Sequence, residues 1–375
     1  MSSVPLTPGS DASGSRPRAV VYCESNFAMI DGKTANGLVR HSDAYDIASV
    51  IDSLSAGRDS GTVLDDRPNG IPVVGSLAAA ISLEGSVPPY FIFGLAPASG
   101  LLSPYERGVV LEAMSLGMNI VNGLHEFLND DPEFAAAAVV HDVVILDVRR
   151  PRDKHDLRLF SGRIEQVTCP RIAVLGTDGA IGKRTTATIL TQVLRDRGLH
   201  AVLVSTGQTG LIQGGRYGLA LDAIPSQFCS GEMEAAVVDA FEGEHPDVIV
   251  VEGQGALSHP AYLTSAFILR GARPDAVVLQ HAPGRDRLGD FDDIPMPTAE
   301  SEIRLIETFA DTSVIGLTLN HENMTDAEVT AAITMYELEL GLPTTDVLTR
   351  PLDRLADMVF ARFPQLEAVA RAPIG

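Results

Sequence analysis

The run Gly176-Thr177-Asp178-Gly179-Ala180-Ile181-Gly182-Lys183 follows an apolar stretch, Arg171–Leu175, and leads into a threonine-rich stretch predicted to be helical over Lys183–Arg197. Glycines let a backbone curl until successive N–H groups point at one anion. A helix start adds partial positive charge there, and Lys183 adds a full one. Strand, glycine loop, lysine, threonine and helix, in that order, are the parts of a cradle for a nucleotide-type phosphate. The ligand-binding candidates are therefore Gly176, Thr177, Asp178, Gly179, Gly182, Lys183, Arg184, Thr185 and Thr186. An ordinary strand-to-helix turn would not require a lysine and two threonines at this point. One residue departs from the pattern. Arg184 stands directly after the lysine, where a hydroxyl usually meets Mg²⁺. Either Thr185 takes the metal role one residue later, or Arg184 contacts phosphate itself and the ligand is another phosphorylated molecule, such as coenzyme A.

Other polar residues fall at the ends of predicted strands, where a parallel sheet gathers its ligand loops. Glu252 ends the apolar run Val248–Val251 beside Gly253 and Gly255, a place suited to a Mg²⁺-associated carboxylate. Gln208 and Thr209 lie in the polar segment after Ser205, within reach of a substrate or phosphate. His281 follows Ala276–Gln280 as a candidate general base, and Arg285 just beyond it is suited to hold a carboxylate bidentately. Asn320 ends the strand Val314–Leu319 and offers a paired donor and acceptor to a base edge. Each has a plain alternative, since Glu, His and Asn also end strands as solvated or capping groups. Ser230 reads as the N-cap of a helix with Met233 and Val237 inward. In the first half, Asp31-Gly32-Lys33-Thr34-Ala35-Asn36-Gly37 is a second glycine-punctuated loop, which makes Lys33 a substrate-side candidate.

These residues need sheets to position them. Short apolar runs alternate with amphipathic stretches along the chain, the pattern of parallel strands joined by helices. Strands are predicted at Arg18–Cys23, Ile71–Val74, Tyr90–Phe93, Asn119–Val121 and Val143–Asp147, with a helix at Pro104–Leu116. In the second half they are predicted at Arg171–Leu175, Ala201–Ser205, Val248–Glu252, Ala276–Leu279 and Val314–Leu319. The fold class is α/β: a Rossmann-like parallel-sheet domain over 18–150, a proline-marked linker over 151–170 and a phosphate-loop parallel-sheet domain over 171–375. Residues 1–17, rich in Ser, Pro and Gly, read as a disordered tail without the apolar centre of a signal peptide. No G-x-G-x-x-G follows the first strand, so a nicotinamide cofactor has little support.

A chain of 375 residues, 45% of them hydrophobic, is long enough for two cores. Its formal net charge of −21 repels nucleic acid and anionic membranes, which argues against both as partners. An anionic ligand must then be met by a local positive site. The three cysteines, Cys23, Cys169 and Cys229, show no metal or disulfide spacing and fit a reducing, cytoplasmic location. No apolar run approaches the roughly 20 residues needed to span a bilayer.

Two resemblances follow. The second half is similar to dethiobiotin synthetase and its relatives, through Gly176-Thr177-Asp178 with Gly182-Lys183, Glu252-Gly253-Gln254-Gly255 and Asn320. That likeness implies Mg-ATP and a small carboxylate activated as a phosphoanhydride. The whole chain resembles the DgcN-like family of D-glutamate N-acetyltransferases, formerly a domain of unknown function. The matching stretches include Lys33–Leu38, Asp147–Pro151, Gly176–Thr186, Gly207–Gly210, Glu252–Pro260, Leu269-Arg270-Gly271 and His281–Arg285. This implies an N-acyltransferase using acetyl-CoA on a small amino acid. The loop at Lys183 would hold the donor's phosphates, His281 or Glu252 would remove the amine proton, and Arg270 or Arg285 would grip a carboxylate. The competing readings are an ATP-Mg²⁺-dependent ligase or kinase, in which Thr185 and Glu252 hold the metal, and a non-catalytic nucleotide sensor. Partners are expected to be small molecules, with homo-oligomerisation left open.

Overall fold

A computed structural model describes residues 15–97 and 99–370. The expectation for the N-terminal tail lies, up to residue 14, outside the described residues. The described residues divide into two compact units, the first running to Pro151 and including Gly207–Arg216, the second comprising Arg152–Thr206 and the residues from Tyr217 onward.

The first unit holds six parallel strands, β1 (Arg18–Tyr22), β2 (Asp46–Ile51), β3 (Val73–Val74), β4 (Tyr90–Phe93), β5 (Asn119–Asn122) and β6 (Ile145–Asp147). Their order, β3-β2-β1-β4-β5-β6, is the doubly wound Rossmann order, and it reverses between β1 and β4. Val20, Val21, Phe91, Ile92, Ile120 and Val121 are fully buried, as expected of strands covered by helices on both faces. Strand β2 was missed in the sequence, because Ala48 and Ser49 interrupt its apolar run. It is nonetheless buried between β1 and β3, and Ser49 is inaccessible. The predicted strands at Ile71–Val74 and Val143–Asp147 shorten to the two- and three-residue strands β3 and β6. The helix Pro104–Ser115 starts where expected, with Ser103 and Glu106 closing a capping box over its first turn.

The second unit holds seven parallel strands: β7 (Arg171–Gly176), β8 (Ala201–Ser205), β9 (Tyr217–Gly218), β10 (Val248–Glu252), β11 (Ala276–His281), β12 (Val314–Leu319) and β13 (Thr344–Thr345). They run in the order β13-β12-β11-β7-β10-β8-β9, so β7 lies at the centre with β10 and β11 as neighbours. Side chains alternate across the strands and build two separate cores. Ala173 and Leu175 join Cys229, Met233, Val237 and Ile268 on one face. Ile172 and Val174 join Ala187, Leu190, Leu194 and Met358 on the other.

Three sequence expectations are corrected here. The stretch 151–170 is not a free linker, because from Arg152 onward it belongs to the second unit. Arg158 donates to Glu232 and Asp239, Ser161 donates to Glu234, and Ile164 is fully buried. Its prolines and charges resemble a linker's, but Arg158 and Arg163 pair with one helix, Ser226–Glu244. That helix begins four residues before Ser230, which is therefore not its N-cap, while Met233 and Val237 do point inward. The segment Gly207–Arg216, expected on the edge of the second sheet, belongs to the first unit and contains the short helix Gln208–Ile212.

Gly231 marks where the main chain of Arg158–Phe160 lies against the Ser226–Glu244 helix. A methyl group there would fall 2.2 Å from the Arg158 carbonyl oxygen. Gly231→Ala should lower stability by about 1–3 kcal/mol through overpacking. Urea unfolding checks this: the midpoint should fall with the slope unchanged, and an unaltered midpoint would mean the segment is not packed there.

Candidate active site around the phosphate loop

Residues 177–182 leave the end of β7 in the expected cradle. Ala180 and Gly182 take left-handed backbone conformations, with φ of 50° and 99°, and the second is natural only for glycine. Gly182 caps the helix Lys183–Asp196 without a side chain, so its first-turn N–H groups are not capped by the chain's own carboxylate or hydroxyl at that position. Gly179 has open space where a side chain would stand. Lys183 is buried, its Nζ donating to the Asp178 carbonyl oxygen, and so folds back over the loop. Backbone amides, a helix N-terminus and a lysine are the donor set for a diphosphate, of either a nucleotide or coenzyme A.

The loop is braced by groups at and beyond the carboxyl ends of β11 and β12. Thr177 is inaccessible, and its Oγ1 lies 2.9 Å from Nδ1 of His281. Its N–H donates to the Gln280 carbonyl. The Gln280 side chain accepts from the hydroxyls of Thr186 and Thr318, each at 2.6 Å. Asp178, expected to meet a ligand, is buried and accepts at Oδ2 from Arg285 (2.6 Å) and the Gly289 N–H (2.8 Å). Asn320 donates to the Ile181 carbonyl and accepts from the Glu322 N–H.

These contacts change several assignments. The Thr186 hydroxyl faces Gln280 rather than a phosphate, and the Asn320 amide is engaged at both ends by protein. Arg285 is not a substrate clamp: it forms a bidentate pair with Glu322 (2.6 and 2.9 Å) while it holds Asp178. Arg270 does not reach the loop either; it is exposed, with its guanidinium over the Phe309 ring. Thr185, the candidate metal ligand, is half-buried at the third position of its helix.

Arg184 and Glu252 meet at the end of β10. Glu252 Oε2 accepts from Arg184 (3.3 Å) and from the Thr206 N–H (3.0 Å), and Arg184 also donates to Ser205. Burial holds the Glu252 carboxyl above its usual range, against the opposing pull of Arg184. Burial also pushes His281 down from 6.5 to about 4, so it is neutral at pH 7. With Nδ1 engaged by Thr177, His281 orients that hydroxyl and is a weak base.

Two further residues complete the edge. Glu302 is inaccessible and accepts from the Ser258 hydroxyl at 2.6 Å and from the N–H groups of Leu257 and Ser258. It thereby fixes the segment after Glu252 from a helix whose Glu302 lies 44 and 45 positions beyond Ser258 and Leu257. His259, within a segment the sequence did single out, is buried with Nε2 directed towards Asp178 Oδ1 at 3.8 Å. The remaining candidates belong to the first unit. Gln208 and Thr209 pack with Thr34 and Arg149, through Gln208 Oε1 at 2.9 Å from Arg149 and Thr209 Oγ1 at 3.1 Å from Thr34. Lys33 is exposed at the start of the helix Lys33–Arg40.

Two measurements follow. Lys183→Ala should weaken a phosphate ligand on the order of 10- to 100-fold, the loss of one charge-assisted contact. Calorimetry with circular dichroism as a folding control checks it, and unchanged affinity would remove Lys183 from the site. His281 takes up its proton near 6.5 when unfolded but only near 4 when folded. Between those values the unfolded chain binds more protons, so the residue's stability contribution is complete above pH 6.5 and declines as pH falls towards 4. The difference amounts to about 3 kcal/mol at full effect. Denaturant titrations of wild type and His281→Asn across this range should converge as pH falls, and parallel curves would contradict the assignment.

Comparison with known proteins agrees with this architecture. Residues 158–356 match a family described as the DUF1611_C P-loop domain, and residues 53–151 match the DUF1611_N Rossmann-like domain. A protein named D-glutamate N-acetyltransferase from Pseudoalteromonas sp is 30% identical over 271 residues, covering 71% of this chain and 79% of that protein. One of the same name from Tritonibacter scottomollicae is 30% identical over 278 residues, 72% of this chain and 80% of that protein. The crystal structure of a DUF1611 family protein from Anabaena variabilis superposes with a TM-score of 0.84 at 32% identity, covering 92% of this chain and all of that one. Both halves, their order along the chain and the full-length superposition agree: the chain belongs to the DUF1611 family.

Proposed function

We propose that this chain is an N-acetyltransferase that moves an acetyl group from acetyl-CoA to the amine of a small acidic amino acid such as D-glutamate. The observation that carries the proposal is the 30% identity to two proteins named for that reaction, over about four-fifths of each. The phosphate loop supports it, since a diphosphate-bearing donor needs the amides, helix N-terminus and lysine found at 176–183. Acetyl-CoA, when bound, would supply an acyl thioester already activated towards an amine. Lys183 and the loop amides would hold its phosphates. Glu252, with its carboxyl raised by burial, is a better proton acceptor than His281 for an ammonium that must become a nucleophilic amine. His281 would keep Thr177, and with it the first bend of the loop, in place. Arg270 and Arg285 are withdrawn as carboxylate clamps, which leaves Arg184 as the cation beside Glu252.

A second reading is an ATP-Mg²⁺-dependent ligase, favoured by a carboxylate at the end of the strand beside β7 and by Thr185 after the lysine. Here Thr185 and Glu252 would hold Mg²⁺. The Arg184–Glu252 contact counts against it, because a cation at Glu252 would compete with a guanidinium already there.

Thermal unfolding with each ligand separates the two. Saturation at about 100 Kd stabilises a protein by ~2.7 kcal/mol, a shift of several degrees. Acetyl-CoA should produce that shift without Mg²⁺. A shift with ATP-Mg²⁺ alone would overturn the acetyltransferase in favour of the ligase.

A further inference from the structure

His259 has no role in the contacts described so far, yet its position is specific. Its side chain is wholly inaccessible, stacked on Tyr262 with ring centroids 4.4 Å apart and flanked by Phe291. Nδ1 accepts the Ala261 N–H at 3.2 Å, so the neutral ring carries its proton on Nε2. That N–H has no hydrogen-bond partner, although a buried donor nearly always finds one. It is directed at Asp178 Oδ1, 3.8 Å away and too far to bond.

The position of the carboxylate is set by its other partners, which hold Oδ1 3.8 Å from Nε2. Oδ1 already accepts the N–H of Gly179 at 2.6 Å, while Oδ2 is held by Arg285 and the Gly289 N–H. Gly179 is also the loop residue with open space beside it, and its amide is among those a bound phosphate would recruit. The Gly179 N–H thus has two acceptors in prospect, Asp178 and the ligand, and its short bond draws Oδ1 towards the loop and away from His259.

We infer that His259 is a positioning residue that couples occupancy of the phosphate loop to the segment 255–262. A phosphate that takes the Gly179 N–H releases Asp178 Oδ1, which then accepts Nε2–H of His259 and draws that segment against the loop. The exchange leaves every donor satisfied once ligand is bound. Without that exchange Nε2–H has no protein acceptor within bonding distance, so the segment lacks this tie to the loop. Because the segment begins just after Glu252, the same exchange ties binding to the placement of that carboxylate. The inference rests on the phosphate-site reading but not on which phosphorylated ligand binds.

Hydrogen exchange on the full chain tests it, with coenzyme A and ATP-Mg²⁺ as separate probes. In wild type, the probe that binds should slow exchange in peptides covering both 176–186 and 255–263. In His259→Phe, which keeps the stacking and removes the donor, protection at 176–186 should remain, protection at 255–263 should disappear and affinity should fall about 3- to 10-fold. His259→Gln restores an N–H near the position of Nε2 and should recover both. Equal protection of 255–263 in wild type and His259→Phe overturns the coupling, as does protection confined to 176–186 in wild type. If neither probe protects 176–186 in wild type, the phosphate site itself fails and this inference falls with it.

Discussion

Arg285 held between two carboxylates is the contact on which the phosphate loop depends. The loop must present its amides to an anion, so it cannot use all of them for its own structure, and its shape has to be imposed from outside. Arg285 does this by gripping Asp178 from the segment after β11 while Glu322, after β12, anchors its other edge. Asp178 and Arg285 have side-chain exposures of 1% and 14%, so the pair is shielded from solvent. Breaking such a pair by removing one partner leaves an uncompensated buried charge. The arginine that the sequence offered as a substrate clamp is thus a structural part of the cradle.

The surrounding contacts repeat this logic. Gln280 joins the first turn of the Lys183–Asp196 helix to β11 and β12 through Thr186 and Thr318, His281 holds Thr177, and Asn320 holds Ile181. Polar side chains at the carboxyl ends of β11 and β12 therefore support the loop rather than reach into the crevice. Only the β10 side of the loop retains groups suited to chemistry: Glu252, pushed up by burial, with Arg184 beside it. That asymmetry explains why a parallel sheet so rich in polar strand ends yields so short a roster of reactive residues. Glu302 holds the segment following Glu252 through Leu257 and Ser258.

The first unit shows the reverse case. Its strand order reverses between β1 and β4, the topology that elsewhere opens a ligand crevice. Yet its strongest polar network, around Asp147, is closed on itself. That carboxylate accepts from Asn122, Asn129 and the N–H groups of Leu128 and Asn129, so it ties the end of β6 to β5. The motif Asp147-Val148-Arg149-Arg150-Pro151 is accounted for by structure alone: Arg149 reaches Gln208 and Arg150 pairs with Asp130.

The sequence by itself determined the two parallel-sheet halves and the phosphate loop, because both are local. Apolar runs of strand length need only their own residues to be recognised, and a glycine loop between a strand and a lysine-led helix is contiguous in the chain. It could not show β2, where Ala48 and Ser49 dilute a strand buried on both faces, nor the pairing of 158–166 with the Ser226–Glu244 helix. Only the tertiary structure decided which polar residues are already engaged by the protein itself. Arg285, Asn320 and Thr186 read as binding groups until partners such as Asp178, Ile181 and Gln280, 94 to 139 positions away in the chain, are known. A side chain's function depends on whether its hydrogen bonds are already satisfied, and folding settles that across distances no local pattern spans.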